Sequence, residues 1–327
     1  MSGQPTVIST FGGCGGSTLG YRMAGFRELL AVEWDQNAVD TFRLNFPDVP
    51  VFHGDIKALS SEQCMCLAGV EPRELDVFDG SPPCQGFSLI GKRDAGDPRN
   101  GLFREYVRLL DSLKPKVFVF ENVRGLVCGR MKAVYLDILK ALEGCGYKTV
   151  TEIKNAMYYG VPQSRERVII LGVRSDLDAS PTLPRPSTMP PSAGDALVGV
   201  SNDPSEVSRL LADASKRAHL CLWDKMEPGQ SGDDVTGKNH FSLHKLDPTR
   251  PSPTITKFEE NTSLGGIMHW AERRKMTVAE MKRLSSFPDD FVFAGAASDA
   301  MARMGNCVPP KLMFAIASHI RREILHV

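Results

Sequence analysis

Short apolar runs of strand character recur through the first half of the chain, separated by glycine, proline and charged residues. Residues 6–10 (Thr-Val-Ile-Ser-Thr) are β-branched and predict a strand that turns, through a glycine cluster, into a helix starting near Ser17 or Thr18. Further strands are predicted at 29–32, 49–53, 75–78, 117–120 and 167–173, and a helix at 135–142 is stopped by Gly144 and Gly146. Each strand is a nearly continuous apolar run, as expected when helices cover both faces of a parallel sheet. The pattern is that of an α/β, doubly wound fold.

After residue 173 the pattern changes. Pro181, Pro184, Pro186, Pro190 and Pro191 crowd a short Ser/Thr-containing stretch that reads as a linker. Beyond it a helix is predicted at 206–219, amid many Gly, Asp and Asn. Another is predicted at 277–285, where Thr277 and Glu280 form a capping box. Residues 309–325 begin with proline and carry an apolar stripe including Leu312, Ala315, Ile316, Ile320 and Ile324. A stripe that wide needs a covering partner, and the first domain is the expected one. The first domain is therefore predicted to be discontinuous, residues 1–180 and 301–327, with an inserted domain at 181–300.

At 327 residues the chain can bury a substantial core, and no apolar run is long enough to span a bilayer. The N-terminus lacks the basic flank of a signal peptide, so a cytoplasmic protein is expected. The eight cysteines show neither CxxC pairs nor a histidine partner pattern, which argues against a disulfide framework and a metal site. Formal net charge is zero, so any nucleic-acid surface must be local.

The candidate chemistry sits where strands end. Asp79-Gly80-Ser81-Pro82-Pro83-Cys84-Gln85 follows the strand at 75–78, and the two prolines restrict the backbone around Cys84. Taken alone, Cys84 is either a nucleophile or an ordinary free cysteine in a proline-rich loop. Gly12, Gly13, Gly15 and Gly16 let backbone approach a ligand at a helix opening, with Glu33 about twenty residues on, a spacing suited to ribose recognition. The run matches neither GxGxxG nor a P-loop, which favours an adenosyl ligand without phosphates over a nicotinamide cofactor, although a plain tight turn has the same appearance. Trp34 could stack on adenine or pack in the core. Asp55 could accept from an adenine amino group or cap a helix.

Phe11-Gly12-Gly13-Cys14-Gly15-Gly16, Glu33-Trp34, Gly54-Asp55-Ile56, Ser81-Pro82-Pro83-Cys84-Gln85, Glu121-Asn122-Val123, Gln163-Ser164-Arg165-Glu166-Arg167 and Gly305-Asn306-Cys307-Val308 together resemble, in order and over nearly the whole chain, the DNA cytosine-5 methyltransferase family. The chain departs from the family's usual Phe-Ala-Gly only by Gly12, one small residue for another. The resemblance implies a Rossmann-like methyltransferase domain and a smaller, largely irregular/β target-recognition domain inserted before the C-terminal helix. It further implies S-adenosyl-L-methionine as methyl donor, S-adenosyl-L-homocysteine as product, and a flipped cytosine in double-stranded DNA as acceptor. Thiolate addition from Cys84 to carbon 6 would make carbon 5 nucleophilic. Glu121 would bond ring nitrogen 3 and the exocyclic amine, Arg167 the base carbonyl oxygen, and Arg165 base or phosphate.

By the same resemblance Phe11, Gly13, Cys14, Gly15, Gly16, Glu33, Trp34, Asp55, Ile56, Pro83, Leu102, Asn306, Cys307 and Val308 line the donor site. Gln85, Ser88, Lys92, Arg93 and Arg99 belong to a closing loop over the DNA, and Arg273, Arg274 and Lys275 are candidate phosphate anchors. Gln230, Lys238, Asn239, His240, His244 and Lys245 could reach base edges. A monomer is expected, with a cognate restriction endonuclease acting on the same site rather than bound as a subunit. A tRNA-methylating branch shares Ser-Pro-Pro-Cys-Gln, but its Cys-Phe-Thr signature is absent here. A catalytically dead regulator is disfavoured by intact Cys84, Glu121 and Arg167.

Overall fold

The computed structural model describes residues 3–83, 101–214, 218–237, 243–257 and 266–327. They divide into two compact units, Met1–Asn155 with Glu166–Arg185 and Met313–Val327, and Ala156–Arg165 with Pro186–Leu312. The first unit is discontinuous and includes Met313–Val327 of the C-terminus. Residues 301–312 belong with the second unit, as do 156–165, so Asn306, Cys307 and Val308 lie in a different unit from the glycine loop.

The first unit is built on a seven-stranded sheet. Its elements are β1 (Thr6–Thr10), α1 (Gly16–Met23), β2 (Arg27–Glu33), α2 (Gln36–Asn45), β3 (Val51–His53), α3 (Ser61–Ala68) and β4 (Val77–Gly80), then α4 (Leu102–Leu113), β5 (Val117–Val123), α5 (Lys132–Gly144), β6 (Tyr147–Asn155) and β7 (Glu166–Arg174). Strand order is β3-β2-β1-β4-β5-β7-β6. β1 to β5 pair parallel, whereas β7 runs antiparallel to both of its neighbours. The order reverses between β1 and β4, and the carboxyl ends of these strands diverge there to leave a crevice.

Two features depart from the sequence pattern. β6 was not among the predicted strands, because Tyr-Lys-Thr-Val-Thr-Glu-Ile-Lys-Asn interleaves charge and apolar residues as an edge strand does. The inverted direction of β7 is likewise invisible in its composition, since a strand buried on both sides reads as the same apolar run in either direction.

Alternation along the strands gives the sheet two unlike faces. Phe78, Phe118 and Phe120 gather around Tyr106 of α4, whose hydroxyl donates to the carbonyls of Phe78 and Val119, each at 3.1 Å. The face under α1 carries Val7, Ser9, Glu28, Val77, Asp79, Val119 and Glu121, acids included. Gly80 must be glycine, since a Cβ there would lie 2.6 Å from the Tyr106 ring and 2.4 Å from the Thr10 hydroxyl.

The C-terminal helix Pro310–His319 continues into a π-helical turn, Ile320–Ile324. Leu312, Met313, Ile316, Ala317 and Ile320 are completely buried, and Arg321 donates to the Ala24 carbonyl at 3.0 Å. The second unit holds a two-stranded parallel sheet, β8 (Leu243–Lys245) with β9 (Gly266–Met268), among short helices. The predicted helix at 206–219 is shorter, Pro204–Ala214. No helix of the described residues is long and apolar enough to cross a membrane.

Because Ile320 belongs to the first unit and is sealed within it, Ile320→Ala should cost about 2–4 kcal/mol through lost burial and the cavity left behind. Urea unfolding of the full chain checks this, and a loss below about 0.5 kcal/mol would mean the helix adds nothing to the unit's core.

Candidate active site

The loop from β1 to α1 is shaped by glycine. Gly13 and Gly15 have φ of +55° and +92°, and a Cβ on Gly15 would strike the Phe46 ring at 2.3 Å. Above Gly13 a Cβ would meet nothing within 4 Å, so this side of the loop is an open cradle. Phe11 itself takes a left-handed φ of +55°, a strained conformation for a residue with a side chain. The Gly12 amide ties the loop to the Val32 carbonyl at 3.1 Å, and α1 then begins at Gly16 with no side chain capping its first turn.

Glu33, the last residue of β2, holds this loop. One carboxylate oxygen accepts from the Gly13 amide at 2.7 Å, and the other accepts from Trp34 at 2.8 Å and Asp35 at 2.9 Å. The first oxygen keeps a lone pair for a further donor. The Trp34 side chain is 73% exposed, so its face is available to a planar ring and the core-packing alternative is ruled out. Asp55 is exposed and its carboxylate caps the turn Ile56–Ala58 by accepting from Lys57 at 3.0 Å, which realises the helix-cap reading. Ile56 is buried beneath it, and Leu102 opens α4, packed against the core.

Across the crevice, β4 ends in Gly80 and leads through Ser81 and Pro82 to Pro83. Asn122 fastens this segment, its amide donating to the Pro82 carbonyl at 3.0 Å. Beside it Glu121 is buried near the carboxyl end of β5. The register of β5 with β7 sets Val123 opposite Arg167, which brings the Arg167 guanidinium (Nε) to 2.8 Å from Glu121. Cys84, Gln85, Ser88, Lys92, Arg93 and Arg99 lie outside the described residues, as do Lys238, Asn239 and His240.

Two residues without a predicted role join the site. Asp79 is buried in β4 on the Glu121 face, with the Tyr21 hydroxyl donating to its carboxylate at 3.3 Å. Burial, and then the nearby Glu121 charge, push Asp79 up to about 8. The signals available in the sequence were an acid inside an apolar strand and a tyrosine in the helix that follows the first strand.

Several expectations need correction. Arg165 does not face a base. It is 1% exposed, and its guanidinium donates to the carbonyls of Ile255 at 2.8 Å, Gly305 at 2.7 Å and Cys307 at 3.0 Å, binding three segments of the second unit together. Arg165 precedes β7, which starts at Glu166 and carries Arg167. Arg274 is not a phosphate anchor either. It is 2% exposed and makes a two-pronged pair with Glu280 at 2.8 Å for each contact, plus a bond to Glu272 at 2.6 Å. Lys275 is buried as well. Lys245 donates to the carbonyls of Trp223 and Met226 and stacks 3.6 Å above the Trp223 ring, so it is withdrawn from the surface. Arg273 is partly exposed and lies 3.6 Å from Asp224. Within the second unit Asn306 is exposed, while Cys307 and Val308 are buried. A cavity lined by Asp203, Glu206, Arg209, Lys282, Asp289 and Phe291 also lies in that unit and contains none of the predicted site residues.

A seven-stranded sheet ordered 3-2-1-4-5-7-6, with its sixth strand in that order antiparallel to both neighbours, is the Rossmann-like fold of methyltransferases. The chain belongs to the C-5 cytosine-specific DNA methylase family, which it matches over residues 5–322, and it is a DNA cytosine-5 methyltransferase. It is 36% identical to the Type II methyltransferase M1.HphI of Haemophilus parahaemolyticus, over 96% of this chain and 86% of that protein. It is 31% identical to the Type II methyltransferase M.NgoPII of Neisseria gonorrhoeae, over 97% and 96%. The crystal structure of a prophage-encoded E. coli protein described as a DNA modification methyltransferase shares the fold with a TM-score of 0.79 at 24% identity, covering 98% and 99%.

Removing the Arg165 guanidinium should leave three buried carbonyls short of donors. Arg165→Met is therefore expected to cost about 3 kcal/mol or more and to loosen the second unit first, read by hydrogen exchange at residues 255 and 305–307. Exchange there matching the parent's would show that the brace is dispensable.

Proposed function

We propose that the enzyme methylates carbon 5 of a cytosine rotated out of duplex DNA, using Cys84 as a transient nucleophile at carbon 6. The observation that carries this reading is the pairing of buried Glu121 with the partly buried Arg167 at 2.8 Å, placed beside the strand that leads to Ser81-Pro82-Pro83-Cys84. A cytosine presents an acceptor, a donor and a carbonyl on one edge. A carboxyl able to exchange a proton and a fixed guanidinium complement that edge, and burial makes both contacts stronger than they would be in water. Glu121 bonds ring nitrogen 3 and the exocyclic amine, and protonation at nitrogen 3 offsets the charge that develops when the Cys84 thiolate adds to carbon 6. Arg167 holds the carbonyl oxygen. Asn122, by fastening Pro82, steadies the segment from which Cys84 departs.

The donor S-adenosyl-L-methionine supplies an electrophilic methyl group. The residues present fit an adenosyl group. The open side of Gly13 admits it, the remaining lone pair of Glu33 accepts from a ribose hydroxyl, and the exposed Trp34 face covers adenine. The uncapped first turn of α1 leaves backbone N–H groups for a carboxylate. Cys14, Gly15, Gly16, Asp55, Ile56, Pro83 and Leu102 complete the proposed donor contacts of the first unit. Gln85, Ser88, Lys92, Arg93, Arg99 and Arg273 are the proposed DNA contacts. The Type II names of the relatives support a restriction endonuclease that acts on the same site.

Cys84→Ser should abolish methyl transfer while leaving donor and DNA binding, because a hydroxyl is a far poorer nucleophile at neutral pH. Duplex DNA with 5-fluorocytosine at the target should form a denaturation-resistant adduct with the parent and none with the serine variant. Turnover by that variant above a few per cent of the parent rate would exclude the role. Glu33→Ala removes both the loop's anchor and the ribose acceptor, so donor affinity measured by calorimetry should fall at least ~50-fold. An affinity within about threefold of the parent's would place the ribose elsewhere.

A further inference from the structure

The turn that carries Asp55 and Ile56 is weakly held by the sheet. β3 has three residues, lies at the sheet's edge and pairs with β2 alone among the described residues. One further bond follows, from the Gly54 amide to the Glu33 carbonyl at 3.0 Å. Asp55 itself is exposed, and its Oδ1 accepts from the Lys57 amide at 3.0 Å. The other carboxylate oxygen, Oδ2, has no partner among the described residues and keeps its lone pairs for a ligand donor.

The missing support comes from α4. Nη2 of Arg108 donates to the carbonyls of Leu59 at 2.8 Å and Ile56 at 3.3 Å, and Nη1 donates to the Ser61 hydroxyl at 3.4 Å. Its Nε donates to Glu105, one turn earlier on the same helix, at 2.8 Å, which fixes the plane of the guanidinium. Every nitrogen of the side chain is engaged, and the residues it grips span the turn Ile56–Ala58. Ser61 also donates to Ser112 of α4 at 2.8 Å, so the clamp continues into the start of α3. Since α4 begins at Leu102, one helix joins two of the proposed donor contacts, Leu102 and the Asp55–Ile56 turn. Arg108 is not a core residue. Its side chain is 36% exposed, so truncating it opens no large cavity.

We propose that Arg108 is a positioning residue that makes the donor site selective for adenine. It acts through Asp55. By holding the carbonyls of Ile56 and Leu59, it fixes the turn that presents the second carboxylate oxygen to the adenine amino group. An amino group donates to that oxygen, whereas the carbonyl of a hypoxanthine ring at the same position meets it oxygen to oxygen and is repelled. Discrimination of this kind needs a fixed carboxylate, because a turn free to swing loses the good bond and relieves the bad contact together. A brace that served the fold alone would act on both rings alike. The proposal rests on Asp55 facing adenine, and it concerns binding of the donor, not the chemical step.

The test is calorimetric binding of S-adenosyl-L-homocysteine and S-inosyl-L-homocysteine to the full chain, with the parent, Arg108→Met and Arg108→Lys. The parent should prefer the adenosyl ligand by about a hundredfold. Arg108→Met should weaken the adenosyl ligand roughly tenfold and the inosyl ligand less than about twofold, so that most of the preference is lost. In steady-state methylation, KM for S-adenosyl-L-methionine should rise by the same factor while kcat and KM for DNA stay at the parent's values. Arg108→Lys keeps the charge but replaces the fork by a single point donor. Its preference should fall between those of the parent and the methionine variant, and it carries the test if the methionine variant does not fold. Equal weakening of both ligands, or a preference equal to the parent's in a folded variant, would reduce Arg108 to a brace and overturn the proposal. If the parent itself binds both ligands alike, the placement of Asp55 against adenine fails, and the proposal fails with it.

Discussion

The structure of the first unit depends on β7 running antiparallel between β5 and β6. A parallel strand at that position would present its other end to the carboxyl edge of the sheet. Reversed, β7 brings its first residues to that edge, and the pairing of Val123 with Arg167 sets a guanidinium against Glu121. Glu121 is buried, and Arg167 beside it offsets part of the cost of taking its carboxyl group out of water.

The remaining site residues follow from the same edge. β1, β2, β4 and β5 all point their carboxyl ends toward it, so the glycine loop, Glu33, the Ser81-Pro82-Pro83 segment and Glu121 are collected without any long excursion of the chain. Local hydrogen bonds then hold each piece. Glu33 anchors Gly13, Gly12 bonds back to Val32, and Asn122 bonds to Pro82. The two faces of the sheet have separate tasks. The aromatic seam around Tyr106 supplies cohesion, whereas the face under α1 holds the buried acids Glu28, Asp79 and Glu121.

In the second unit the charged residues that read as surface cations are interior struts. Arg165 gathers three carbonyls and Arg274 is matched by Glu280 and Glu272. A guanidinium can be buried when each of its donors meets an oxygen, and its fork geometry suits it to tying segments together. Such residues lie in clusters that resemble basic patches when only their order along the chain is visible. Arg273, a neighbour of Arg274 in sequence, is partly exposed, so adjacent arginines here have opposite surroundings.

The amino-acid sequence by itself determined the alternation of strands and helices and the motifs that mark the family. These are properties of short stretches, where apolar period, glycine and proline act within a few residues. Only the tertiary structure decided the direction of β7, the existence of the polar edge strand β6, the burial of Arg165, Arg274 and Lys245, and the acidic row of Glu28, Asp79 and Glu121. Arg165 became a strut through carbonyls that lie 90 to 142 residues away along the chain, whereas Arg274 did so through acids two and six residues away that only the folded backbone turns toward it.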